Sequence, residues 1–151
     1  MGDTNLPYAE DVNYWQTGKS SADKWIDNAQ REIKSIGGTI HGWAFGSDAQ
    51  LGRAAYMIDF QLGQDRFKIV WPVLPTRGGK NEASARIQAA TMLYHDVKSR
   101  CVTAKVMGGR TAFFSYIMLP DGRTAANVSS PELNRSLPAM FLLPGTSSVD
   151  E

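Results

Sequence analysis

The sequence predicts an α+β domain: an antiparallel sheet of three to four strands packed against one long helix, with a shorter N-terminal helix at its edge. Three observations carry that prediction. Ile87, Ala90, Tyr94, Val97, Cys101 and Ala104 recur at steps of three and four, which gathers them into one helical stripe roughly 100° wide. Residues 53–62 alternate with period two instead, placing Tyr56, Ile58, Phe60 and Leu62 on one face and Ala55, Met57, Asp59 and Gln61 on the other. Paired glycines, Gly37-Gly38 and Gly108-Gly109, stop the two helical stretches.

Residues 1–19 show neither period. They read as an arm carrying Asp3, Glu10 and Asp11, and its Tyr8, Tyr14 and Trp15 exceed what a free tail needs, so docking on the domain or on a partner is expected. The domain then spans residues 20–145, and residues 146–151 are a disordered tail. Ser20 or Ser21 opens the first helix, with Asp23 in its first turn and Trp25, Ala29, Ile33 and Ile36 along one face.

Strand-like runs follow at residues 39–45, 53–62 and 66–73. Gly63-Gln64-Asp65 joins the last two as a hairpin, with Phe67, Ile69 and Trp71 toward the core. After a loop at residues 74–80, Asn81 is placed as the N-cap of the long helix, Glu82 lies in its first turn and Lys105 in its last, as the helix dipole favours. The stripe sets Val97 at the buried centre and leaves Gln88, His95 and Ser99 on the solvent face. Residues 113–119 read as a fourth strand or a helical turn running into one, closed by the turn Pro120-Asp121-Gly122. Ser130-Pro131-Glu132 resembles a short helix start limited by Pro138, and residues 140–145 form an apolar clasp.

A chain of 151 residues is the size of one domain and buries roughly 70% of the surface its unfolded form exposes. Its single cysteine forms no internal disulfide, and no signal-peptide pattern is present. No apolar run approaches the roughly 18–20 residues of a membrane span, so a cytoplasmic protein with no membrane partner is expected. A net charge of +1 conceals an asymmetry: residues 53–123 carry eleven basic and five acidic side chains, whereas residues 1–52 carry four and seven. A basic block of this kind marks a polyanion surface or an ordinary solvated face.

No catalytic constellation can be assembled from spacing, so no enzyme, cofactor or metal is expected. His41 and His95 lack the partners of a metal site, and Cys101 lies within the apolar stripe as a buried thiol. The strongest binding candidate is Arg77-Gly78-Gly79-Lys80, where two cations and mobile backbone N–H groups precede a helix N-terminus. It is not a Walker loop, because Leu74 and Asn81 stand where that motif needs glycine and Ser or Thr. Arg86, beside the stripe, and Arg66 and Lys68, on the hairpin, extend the candidate nucleic-acid surface. Arg86, Lys98, Arg100 and Lys105 also read simply as stems covering the core edge. Trp43, Phe45 and Trp71 are candidate stacking platforms for bases, a reading that requires some of them exposed beside the cations.

The element order, the run 114–124 with its Leu119-Pro120-Asp121-Gly122-Arg123-Thr124 turn, and Leu142-Leu143-Pro144-Gly145 resemble a family of small uncharacterised proteins encoded by phages and prophages. That resemblance implies a shared fold and a phage-type origin in a host cytoplasm, and no activity. The topology is also similar to that of phage single-strand annealing proteins. Two functions are therefore expected in order: a single-stranded DNA-binding replication or recombination accessory, then an inhibitor that binds a host defence or replication protein. The partners are accordingly nucleic acid or a host protein, with a homo-oligomer as a possible state.

Overall fold

The computed structural model describes residues 6–49 and 52–128 of the chain. Five main elements follow the arm: α1 (Ala22–Ser35), β1 (Thr39–Asp48), β2 (Arg53–Leu62), β3 (Asp65–Pro72) and α2 (Glu82–Met107). The strands form one antiparallel sheet in the order β1-β2-β3, and the α+β architecture is the expected one. Among the described residues no helix is long and apolar enough to cross a membrane. The helix start at residues 130–132, the apolar clasp and the tail lie outside the described residues.

Local chemistry accounts for most boundaries. Ser21 is the N-cap of α1, its hydroxyl accepting from the Lys24 N–H at 3.2 Å, and Asp23 complements the dipole in the first turn. At the other end Gly37 adopts φ 92°, a left-handed conformation that glycine enters without a Cβ clash, and donates to the Lys34 carbonyl. The hairpin is one residue tighter than expected. Leu62 pairs with Asp65, so only Gly63 and Gln64 form the turn, and Gly63 takes φ 59°.

Tyr56, Ile58 and Phe60 of β2 and Phe67 and Ile69 of β3 are fully buried on the helix side of the sheet. Ile26, Ala29 and Ile33 of α1 and Leu93, Val97 and Cys101 of α2 close over them. Trp25 and Ile36 lie at the margin of that core, while Ile26, not expected, is at its centre. Beyond α2 a short helix, α3 (Gly109–Ala112), turns the chain back toward the sheet. Phe113 then wedges against Phe60 and Phe67, at 5.1 and 5.7 Å between ring centroids. Residues 114–116 make one 3-10 turn, after which Ile117 bridges Phe67 and the Met118 N–H donates to the Arg66 carbonyl at 2.8 Å. The helical turn thus runs into isolated bridges, Ile117 to Phe67 and Met118 to Thr124, and among the described residues the sheet keeps three strands.

Three expectations about α2 need correction. Asn81 holds the N-cap position, but at φ 61° it is left-handed and its side chain caps nothing. The buried arc is also wider than the predicted stripe: Ala85, Gln88, Ala89 and Leu93 join Ala90, Val97 and Cys101. Gln88, expected in solvent, is 0% exposed. The cause is the arm, which crosses the face of α2 away from the sheet. Gln88 Nε2 lies 2.8 Å from the Ala9 carbonyl, 3.1 Å from that of Val12 and 3.0 Å from that of Asn13. An amide has two hydrogens for these three acceptors, so one is shared. His95 stays exposed, as expected, while its ring stacks on Tyr14 at 4.8 Å and 6°.

Ala9 is fully buried, and its N–H donates to the Pro75 carbonyl at 2.7 Å. Tyr14 and Gln16 adopt φ 71° and 52°, positions that cost a non-glycine residue about 1–3 kcal/mol each. Tertiary contacts, not backbone preference, therefore hold the arm.

Replacing Val97 by Asp is expected to cost several kcal/mol, because an unpaired carboxylate would face the apolar core. Gln88→Ala should cost about 1–3 kcal/mol by removing the donor of the Val12 and Asn13 carbonyls. Thermal melts check both values. Limited proteolysis should also cut within residues 6–19 faster in Gln88→Ala than in the parent.

Candidate functional site

The five cations expected to bind nucleic acid fall into two groups. Arg66 and Lys68 project from β3 on the face opposite Phe67 and Ile69, so they stand on the open side of the sheet. Arg77, Lys80 and Arg86 gather beyond the far end of β3, where the loop enters α2. The sheet separates the groups. They do not form one continuous basic surface.

Within each group some charge is already engaged. Arg66 donates from Nε and Nη2 to both carboxylate oxygens of Asp59, at 2.9 and 3.0 Å, a fork that raises the guanidinium pKa. Lys68, directly opposite Asp59 in the strand register, makes no ion pair among the described residues. His41, at the irregularity in β1, shares the same face and meets Gln61 at 3.2 Å.

In the second group Arg77 is enclosed. Its Nη2 pairs with Asp11, and the guanidinium lies 5.0 Å from the Tyr8 ring centroid. Both Glu10 carboxylate oxygens accept from the Arg77 backbone N–H at 3.2 Å. The Asp11 hydrogen bond is the first cause of a raised Arg77 pKa. Gly78 and Gly79, each at φ 68°, give the loop its left-handed turn. Lys80 is exposed and without an ion pair among the described residues.

Arg86 is exposed on α2, its guanidinium carbon 4.1 Å above the centroid of Phe45. Phe45 pairs with Tyr56 across the sheet, and Trp43 pairs with Ile58, so both rings lie on the helix side of β1. β1 is an outer strand with no second neighbour among the described residues. Its Trp43 is 41% exposed. Phe45 and Trp71 are half-buried against the core, so of the three candidate platforms Trp43 is the open one. Beside Phe45 and Arg86 a cavity of about 470 Å³ runs to Ala54, Val73 and Thr76. Arg86, Phe45 and Trp43 thus form a cation-and-aromatic row along a free sheet edge, with Lys80 at the start of the adjoining helix.

Other reactive side chains are quiet. Burial pushes the Cys101 thiol up to about 11, helped by the charge of Glu32. Burial likewise raises the Tyr116 phenol to about 12, with the Asp96 carboxylate adding to the effect. Arg100 lies 4.8 Å over the Tyr116 ring and donates to Asp96 and to the Ala112 carbonyl, so it ties α3 to α2.

Sequence reasoning left the engagement of Arg77 unassigned. The signal for it was the acidic balance of residues 1–52 against the basic block, but charge totals do not say which carboxylate meets which cation. Comparison with protein-family models, curated proteins and solved structures gives no match.

Cys101, 2% exposed, should react slowly with a thiol reagent in native buffer and rapidly in denaturant, because only accessible thiolate is nucleophilic. Reaction with a chromogenic disulfide in both conditions checks this.

Proposed function

We propose that the protein binds single-stranded nucleic acid without catalysis, as a phage-type replication or recombination accessory. The observation that supports this most is the row on β1: Trp43, 41% exposed at a free sheet edge, next to Phe45 under the guanidinium of Arg86. Single-strand binders combine aromatic faces for bases with cations for phosphates, and that combination tolerates any sequence because every base has a π-face. Trp43 offers the open ring, and Phe45 holds the Arg86 guanidinium beside it. Lys80 then lies with Arg86 on the side of the strand's phosphates, and Arg66 and Lys68 act on the open face if the strand wraps the edge.

A protein partner, in the manner of a host-directed inhibitor, is the second reading. Val102, Val106 and Met107, 58%, 81% and 63% exposed, leave the end of α2 apolar and uncovered, and this supports it. Capture from host lysate with and without nuclease separates the two readings.

The direct test is oligothymidylate binding by fluorescence anisotropy at several salt concentrations. Log affinity should fall with log salt by about 0.7 per phosphate neutralised. Arg86→Ala with Lys80→Ala should weaken binding and lower that slope by up to about 1.4, whereas Lys19→Ala with Lys24→Ala should leave both unchanged. Trp43→Ala should cost about 1–3 kcal/mol at low salt with little change in slope. Absence of binding by the parent at low salt would remove this reading in favour of the protein partner.

A further inference from the structure

The arm supplies Arg77 with two carboxylates, and their arrangement has the character of a bound anion. Asp11 takes the guanidinium, and Glu10 takes the backbone N–H of the same residue with both its oxygens at 3.2 Å. A phosphate at this loop would use the same pair of donors, one charged and one from the main chain. Tyr8 flanks the guanidinium, so Tyr8, Glu10 and Asp11, all from one 3-10 turn of the arm, surround Arg77. Arg77 and Asp11 are both about half exposed, at 56% and 49%, so the pair is open to solvent and to competing ions.

Anchoring and charge reside in different parts of the arm. Ala9 and the carbonyls of residues 9, 12 and 13 hold it to Pro75 and Gln88. The carboxylates of Glu10 and Asp11 meet only Arg77 among the described residues. The two carboxylates can therefore yield to another anion while the backbone of the arm stays docked.

We infer that Glu10 and Asp11 are a built-in occupant of a phosphate site at Arg77, displaced when a single strand bound along β1 reaches this loop. The inference rests on the nucleic-acid reading above. The arm sets a threshold: isolated phosphates and short oligonucleotides leave Arg77 with its own carboxylates, and a strand already held by Arg86 and Lys80 brings a phosphate to it at high effective concentration. Salt weakens both the internal pair and the strand's contacts.

The test is Glu10→Gln with Asp11→Asn in the full chain, which removes the charges and keeps the arm's backbone anchors. Anisotropy with an oligothymidylate is measured against salt beside the parent and an Asp23→Asn, Glu32→Gln control that makes the same change in net charge on α1. The expected result is binding about fivefold tighter than the parent's at low salt, because the strand no longer has to displace the two carboxylates, with the control near the parent. Hydrogen exchange at the Ala9 amide should be equally slow in variant and parent, which shows that the arm remains in place. A parent that binds while the variant matches the control overturns the occupant at Arg77 and leaves the binding row intact. If neither parent nor variant binds at low salt, the nucleic-acid reading fails and this inference falls with it.

Discussion

Burial of α2 from three sides is the constraint on which the rest of the molecule depends. Leu93 and Val97 meet the sheet, α1 packs alongside, and the arm closes the remaining side through Gln88. A helix with only one covered face needs one apolar stripe, but this one needs an arc, and its arc contains a glutamine because the third neighbour offers carbonyls in place of side chains. The backbone of the arm makes only one 3-10 turn, Ala9–Asp11, among the described residues, so its buried carbonyls require donors from elsewhere. Gln88 is the residue type that can supply them from a helix while having no charge to desolvate.

The same docking decides what the basic block can do. Of the five cations nominated by sequence, Arg66 and Arg77 meet acids in the folded chain, and Arg86 lies over an aromatic ring. Exposed pairs of this sort contribute little to stability and are sensitive to salt. Their effect is on the surface field, which is weaker near Asp59 and Asp11 than a count of cations suggests. Cationic character is concentrated instead near Lys80 and Arg86, where the loop enters α2.

An outer strand is ordinarily protected by lysine, proline or a bulge, since its free N–H and C=O groups invite pairing. β1 has neither lysine nor proline along its ten residues, and its register slips only between Ile40 and Gly42. Trp43 stands exposed immediately after that irregularity. The organisation separates two tasks: the helix side of the sheet makes the core, and the outer edge presents aromatic and cationic groups around it.

Period and punctuation determined the elements. The alternation of residues 53–62 and the glycine pairs located β2 and both helix ends to within a residue or two, because those signals depend on neighbours a few positions away. The apolar stripe likewise found Val97 and Cys101, and the turn at Pro120-Asp121-Gly122 followed from the φ values those residues favour. Only tertiary structure decided the burial of Gln88 and the capture of Arg77 by Asp11, contacts that join positions 79 and 66 residues apart. Helical period says which residues share a face, but it does not count how many faces will be covered. Charge totals similarly announce an excess, and the path of the chain alone brings a given acid to a given cation.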